Sequence, residues 1–275
     1  MPLGVGLIGC GAIGTVLARA VDSGQAGDTH LVMVYDLAAE KSRILIKKLT
    51  RKPRIAENFE ELIECGEIDL VIEAASQGAV KEYASKVLRA GKDLMIMSVG
   101  ALVDSELTNE IKRYAEGRGK RVYIPSGAIA GLDGVKAAVI GRVDHVTLIT
   151  RKPPEGLGDA PYVMEKEIHL DKLKNPTIIY EGPALEACRL FPVNVNVAAA
   201  LGLAGIGLEK TKVQIIADPT IERNIHEIEV KGEFGELKIH TENIPSVDNP
   251  KTSYLAALSA IATLRKITEP LLIGT

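Results

Sequence analysis

The chain has 275 residues, of which 46% are hydrophobic and 25% are charged, and its formal net charge is −3. This length suits two domains, and the composition is that of an ordinary globular protein with a full apolar core. A slightly acidic chain without interleaved basic and aromatic residues argues against a nucleic-acid partner. The longest apolar stretch, residues 195–208, is too short to span a bilayer, and the N-terminus lacks a basic leader, so we expect a cytoplasmic protein without a membrane partner.

The three cysteines, Cys10, Cys65 and Cys188, are odd in number and lack C-x-x-C spacing. Their pattern predicts neither a disulfide framework nor a zinc site, and no metal is expected elsewhere. We expect them to be small buried residues rather than nucleophiles.

Residues 3–14 read as a short apolar strand followed by the pattern G-x-G-x-x-G, and helical spacing of apolar residues continues to Val21. In a dinucleotide-binding fold the three glycines permit the turn, the approach of backbone to the pyrophosphate and close packing of helix on strand. The phosphates then lie on the helix N-terminus, where N–H groups and the helix dipole favour negative charge. The cofactor-binding residues expected in this turn are Gly9, Gly11, Ala12, Ile13 and Gly14.

Two later strands supply further candidates for the cofactor site. The second strand, residues 31–35, ends in Asp36, whose carboxylate can accept hydrogen bonds from an adenosine ribose. The strand over residues 70–75 ends in small residues, and ligands of open α/β sheets bind at that end. Ala75, Ser76 and Gln77 are therefore expected near the cofactor, which we expect to be NAD, with NADP as the alternative.

Strands and amphipathic helices alternate up to about residue 125, which predicts an α/β Rossmann domain with a doubly wound parallel sheet. After residue 131 strands follow one another, which predicts an α+β domain with a mixed or antiparallel sheet. Residues 152–174 are polar and predict a surface insertion. The predicted domains are 1–130 for the dinucleotide, 131–246 for the substrate, and 247–275 as a C-terminal helix, over residues 251–267, that packs back on the first domain.

This organisation implies that substrate meets nicotinamide in a cleft between two domains, where the protein must add a proton-handling group. Histidine is the natural candidate near neutral pH, and the chain has five. Strand alternation places His226 on the same face as Ile228 and Val230. Such a histidine either finds a partner in the core or lines a cleft, and periodicity leaves both alternatives open.

Seven segments spread over nearly the whole chain resemble the L-aspartate dehydrogenase family and keep its order. The matching segments are residues 6–14, 73–77, 126–129, 191–199, 224–228, 232–236 and 249–255. The resemblance implies NAD- or NADP-dependent oxidation of L-aspartate to iminoaspartate, which water converts to oxaloacetate and ammonia, in a homodimer that supplies synthesis of the nicotinamide cofactor. It also implies that His226 is catalytic and that Ala128 and Asn196 contact the cofactor. The segment 152–174 is longer than the corresponding family loop.

The candidates for binding the substrate carboxylates have an alternative interpretation, because ordinary helix capping explains the same residue types. A cation and two hydroxyls gather where the last helix is predicted to begin, and helix N-termini favour anions. The candidates are Asn194, Lys251, Thr252 and Ser253. The alternative functions are a homoserine dehydrogenase-like or dihydrodipicolinate reductase-like oxidoreductase and a non-enzymatic dinucleotide sensor.

Overall fold

The computed structural model describes residues 2–192, 196–246 and 249–274. The chain divides into two compact units, one formed by Met1–Pro125 with Ala257–Ile273 and the other by Ser126–Ala256 with Gly274–Thr275. Each unit is built around its own sheet.

The first unit contains a parallel sheet with the order β3-β2-β1-β4-β5-β6. This is the strand order of the doubly wound dinucleotide-binding fold, so the predicted fold class of this unit is confirmed. The central strands are buried on both faces, which explains why they read as continuous apolar runs. The strands are β1 (Leu3–Ile8), β2 (Thr29–Tyr35), β3 (Arg54–Ile55), β4 (Leu70–Glu73), β5 (Asp93–Ile96) and β6 (Val122–Tyr123).

The helices of this unit begin and end at the residues that local chemistry favours. The side chains of Asn58, Ser76 and Asp104 each accept a hydrogen bond from a first-turn N–H of the helix that follows. Gly119, at φ +60°, ends the helix that Asp104 begins. The helices are α1 (Ala12–Asp22), α2 (Ala39–Lys47), α3 (Phe59–Glu64), α4 (Gln77–Arg89) and α5 (Ser105–Arg118), with a short 3-10 helix at Val99–Val103.

The second unit contains a mixed sheet with the order β11-β10-β7-β9-β8, in which only β7 and β9 are parallel among the described pairs. A two-residue loop joins β10 to β11 between Gly232 and Gly235 and forms a hairpin. A two-stranded ribbon follows it. The strands are β7 (Val143–Lys152), β8 (Thr177–Pro183), β9 (Lys212–Ala217), β10 (Asn224–Gly232), β11 (Gly235–Asn243), β12 (Pro245–Ser246) and β13 (Asn249–Ser253).

The prediction of a surface insertion at residues 152–174 is wrong for its apolar half. Leu157, Ala160, Val163 and Leu170 are buried, and the Tyr162 ring packs against the rings of Tyr180 and Phe191. Because polar residues lie between these buried ones, the hydropathy averaged over the segment does not show that it is packed. The helices of this unit are α6 (Leu132–Ala138), α7 (Pro161–Glu165), α8 (Ala184–Leu190) and α9 (Asn196–Ala204), with 3-10 turns at Pro154–Gly156 and Leu170–Lys172.

The last helix, α10 (Tyr254–Thr268), begins three residues later than predicted, because residues 249–253 form β13. Its buried face consists of Ala257, Ala260 and Leu264, whereas Leu258 is 38% exposed. Ala260 and Leu264 belong to the same apolar core as Leu17 and Val21 of α1. Small alanines allow α10 to lie close to this core, a feature that a search for large apolar residues does not find.

Candidate functional site

The glycine turn between β1 and α1 has the geometry of a phosphate-binding turn. Gly9 has φ +96°, and a Cβ there would lie 2.5 Å from the Ala74 carbonyl oxygen. A Cβ on Gly14 would lie 2.0 Å from the Gly9 carbonyl oxygen, so only glycine allows α1 to approach the strand. A Cβ on Gly11 meets nothing within 4 Å, and this open space is where a pyrophosphate would approach the backbone.

The start of α1 suits an anion as well. Gly11 is its N-cap and supplies no side-chain hydrogen bond to the first-turn N–H groups, and the first turn carries no acidic residue. Ala12 and Ile13 lie in this turn and are half-buried. Unlike α3, α4 and α5, this helix therefore leaves its dipole and first N–H groups for a ligand, and the turn fits a dinucleotide.

A cavity of about 470 Å³ joins the other candidates of the first unit. It is lined by Gly9, Gly11, Asp36, Ala75 and Ser76 together with Lys41. One carboxylate oxygen of Asp36 accepts from the Cys10 N–H at 2.8 Å and the other from the Ala38 N–H at 2.9 Å, which fixes the carboxylate at the end of β2. Each oxygen keeps a second lone pair with which it can accept from a ribose hydroxyl.

A buried carboxylate that the sequence analysis did not single out, Glu73, organises the loops next to this cavity. Its Oε1 accepts from the N–H groups of Ala75 and Ser76 and from the Ser98 hydroxyl, and its Oε2 accepts from the Ser98 N–H. Burial raises the pKa of Glu73 above its usual range, against the effect of these donors. In the sequence, the feature that indicates this role is an acidic residue within an otherwise apolar strand.

In the second unit, His226 lies on the buried face of β10 and is 4% exposed. It is the register partner of Thr150 on β7, and the Thr150 Oγ1 lies 3.0 Å from its Nδ1. On the other side the Thr241 hydroxyl of β11 donates to the His226 carbonyl oxygen at 3.1 Å. The neighbouring strands therefore hold the backbone of His226, and Thr150 orients its imidazole.

A second titratable group, Lys152, shares the buried face with His226. It follows Thr150 by two residues at the end of β7 and is 6% exposed. Burial lowers the pKa of Lys152 to about 8. Burial and the positive charge of Lys152 together lower the pKa of His226 to about 3, so the imidazole is neutral at physiological pH.

His240 and the cysteines have less suitable surroundings for proton transfer or nucleophilic attack. His240 is half-exposed and its ring nitrogens face carboxylate oxygens of Glu227 and Glu242, which raise its pKa. Burial raises the pKa of Cys10 to about 11 and that of Cys188 to about 12, so both are poor nucleophiles. Cys65 is half-buried rather than buried as predicted. Within the described residues no group of side chains has a metal-binding arrangement.

The remaining candidates lie in the second unit. The Ala128 carbonyl oxygen accepts from Asn243 Nδ2 at 3.0 Å, and Asn196 is the exposed first residue of α9. Ser253 is buried and donates to Asn243 Oδ1 at 2.6 Å. Lys251 and Thr252 lie in β13, so their predicted place at a helix N-terminus is wrong. Asn194 lies outside the described residues.

The strand order and the glycine turn define the first unit as a dinucleotide-binding domain, and the second carries a buried histidine, His226. This combination defines the class of two-domain nicotinamide-dependent oxidoreductases. Residues 133–267 match the C-terminal domain of aspartate dehydrogenase, and residues 9–125 match the NAD-binding domain of homoserine dehydrogenase. The chain belongs to the L-aspartate dehydrogenase family.

Individual relatives match along their whole length. The L-aspartate dehydrogenase of Methanosarcina barkeri is 50% identical over 99% of this chain and 100% of its own, and that of Nitrosopumilus maritimus is 46% identical over 98% and 99%. The crystal structure of aspartate dehydrogenase from Thermotoga maritima has a TM-score of 0.78 at 30% identity and covers both chains completely. A scyllo-inositol dehydrogenase from Lactobacillus casei, at 14% identity and a TM-score of 0.61, shares the fold alone. Along the described parts of this chain, no helix has the length and apolar character needed to cross a membrane.

Proposed function

We propose that this chain is an L-aspartate dehydrogenase that oxidises L-aspartate to iminoaspartate with NAD. The observation that supports this most is His226, held between β7 and β11 in a chain that matches L-aspartate dehydrogenases over nearly all its length. When bound, the nicotinamide accepts a hydride from Cα of the substrate. Water then attacks the resulting imine and gives oxaloacetate and ammonia.

In this proposal His226 moves the protons. The neutral imidazole takes a proton from the substrate ammonium, which frees the nitrogen lone pair that forms the C=N bond as hydride leaves. After that step the same group activates the attacking water. The role requires Nδ1–H to donate to the Thr150 oxygen, so that Nε2 carries the lone pair. Because the pKa of His226 is lowered to about 3, the imidazole holds this lone pair throughout the physiological range.

The cofactor residues of the proposal are those of the glycine turn and the strand ends. Gly9, Gly11 and the first turn of α1 would hold the pyrophosphate, and Asp36 would accept from the ribose and favour NAD over NADP. The family resemblance supports Ala128 and Asn196 as further cofactor contacts, with Asn194, Lys251, Thr252 and Ser253 as candidates for the substrate. We also propose a cytoplasmic homodimer whose iminoaspartate supplies nicotinamide cofactor synthesis; sedimentation velocity tests the dimer.

The decisive assay follows NADH formation by the purified chain with L-aspartate, L-homoserine, L-glutamate and L-alanine as alternative substrates. Turnover of L-aspartate alone is expected. Turnover of L-homoserine would favour the homoserine dehydrogenase-like alternative, since residues 9–125 match the NAD-binding domain of homoserine dehydrogenase. NADH binding without turnover of any amino acid would favour the sensor.

A further inference from the structure

The inner face of the β10–β11 pair carries a second buried polar residue besides His226. In the register of the two strands His226 is paired with Thr241, and Asn224 is paired with Asn243. Directly opposed residues of antiparallel strands share one face of the sheet, so Asn243 lies on the face of His226. It follows Thr241 by two residues, about 7 Å along β11, and is 2% exposed.

The Asn243 carboxamide joins two segments that lie far apart in the sequence. Its Nδ2 donates to the Ala128 carbonyl oxygen at 3.0 Å, and its Oδ1 accepts from the Ser253 hydroxyl at 2.6 Å. A carbonyl oxygen only accepts hydrogen bonds, so the amide nitrogen has to face Ala128. Ala128 and Ser253 are both buried, which protects these hydrogen bonds from competition by water.

The segment 126–131, which contains Ala128, lies against β11 at a second point as well. Gly131 has φ +75°, and a Cβ on it would overlap the side chain of Ile239. Ile239 precedes Asn243 by four residues, so strand alternation places both on the same face of β11. The segment is therefore held on the face of the sheet that carries His226.

The place of this segment in the chain suits a contact with the nicotinamide half of the cofactor. Residues 126–131 follow β6, and ligands of this fold bind beyond the carboxyl ends of the parallel strands. In the sheet order β2 and β6 lie on opposite sides of β1. A dinucleotide whose adenosine ribose lies at Asp36, after β2, would extend its nicotinamide half toward the side of β6. This order, with the family resemblance, supports Ala128 as a contact of that half.

We propose that Asn243 is a positioning residue that holds Ala128, and with it the nicotinamide, in a fixed place relative to His226. This rests on the proposed function, in which His226 takes a proton from the substrate and the nicotinamide takes the hydride. Both groups have to reach one substrate molecule, and a displacement of about 1 Å can lower the rate by roughly 10²-fold. Asn243 bonds to Ala128 and belongs to the strand beside β10, so one buried side chain links the two.

The test compares Asn243→Leu with Thr211→Val. Asn243→Leu keeps the approximate size of the side chain and removes both hydrogen bonds. Thr211→Val is the matched control, because it removes the hydrogen bond of a buried side chain to a backbone carbonyl, that of Gly207, just before β9 on the other side of the same sheet.

Binding distinguishes positioning of the nicotinamide from general damage. In Asn243→Leu the Kd for NADH should rise by about fivefold or more, the usual effect of one lost hydrogen bond, whereas the Kd for ADP-ribose, which lacks the nicotinamide, should match wild type. Thr211→Val should match wild type with both ligands. Equal weakening of NADH and ADP-ribose in Asn243→Leu would overturn the proposal.

A single turnover of NAD with L-aspartate supplies a readout that a structural role does not move. Its rate constant reports the chemical step and should fall by about 10- to 100-fold in Asn243→Leu, whereas loss of folded protein lowers only the amplitude. An unchanged rate constant and NADH Kd in folded Asn243→Leu overturn the proposal. If that variant does not fold, Asn243→Asp, which keeps the acceptor for Ser253, is judged by the same criteria. Selective loss of NADH affinity in a protein whose wild type never oxidises aspartate overturns the proposed function and keeps the positioning of Ala128.

Discussion

Thr150 Oγ1 and His226 Nδ1 lie 3.0 Å apart on adjacent antiparallel strands, and the two residues are register partners. Both side chains are almost completely buried, at 3% and 4% exposure. The backbone pairing of β7 with β10 determines this contact. The sheet, and not a loop, therefore determines the orientation of the imidazole. This arrangement is the basis of the first three predictions.

Thr150→Val removes the hydroxyl and keeps the shape of the side chain. We expect kcat for L-aspartate to fall by about fivefold or more, because an orienting hydrogen bond of about 1 kcal/mol is lost. NADH Kd should stay unchanged. Thr147→Val, on the same strand but the opposite face, is the matched control. Equal kcat in Thr150→Val and wild type would contradict the orienting role.

His226→Ala removes the proposed base. Positioned proton transfer is typically worth ~10²–10⁴ in rate, so kcat should fall by that factor while NADH Kd remains near the wild-type value. His240→Ala, which removes a half-exposed histidine on the adjacent strand, should retain activity. A His226→Ala protein with a lowered Tm and near-normal turnover would make the residue structural.

The stability of the protein should depend on pH through His226. Its folded-state pKa of about 3 lies below the ordinary 6.5, so between these values the unfolded chain binds a proton that the folded chain does not. The contribution is therefore complete above pH 6.5 and is lost as pH falls, at up to about 1.4 kcal/mol per pH unit. Urea unfolding of wild type and His226→Gln at pH 4.5–7 checks this, and parallel curves for the two proteins would refute it.

The carboxylate of Asp36 should set the choice between NAD and NADP. It would accept from a ribose 2′-OH and repel a 2′-phosphate, while Lys41 in the same cavity softens the repulsion. Asp36→Asn keeps an acceptor for the Cys10 or Ala38 N–H and removes the charge, so the ratio of kcat/KM for NAD over NADP should fall. Glu40→Ala, an exposed acid nearby, should leave the ratio unchanged. An unaltered ratio in Asp36→Asn would remove Asp36 from cofactor selection.

The sequence by itself determined those features that depend on local period and on residue type. Alternation of apolar strands and amphipathic helices predicted the parallel sheet, and the glycine pattern predicted a turn in which Gly9 takes a positive φ and Gly14 permits close packing. Alternation likewise predicted that His226 shares a face with Ile228, and both are buried. The strands, the turn and the buried face each depend on residues close together in the sequence, and the type of sheet follows from the order of these elements.

The tertiary structure alone decided which residues from distant segments meet. Strand period places His226 on a face, but only the register of β7 against β10 brings Thr150 to its ring and Lys152 to the same surface. The helix predicted from Lys251 gives way to β13 because residues 249–253 pair with β12, a partner that local pattern does not contain. Glu73 reads as one polar residue in an apolar strand until the loops at Ala75 and Ser98 fold around its carboxylate. Periodicity reports the face of a strand or helix, whereas a site depends on non-local pairing, and that is fixed only when the whole chain packs.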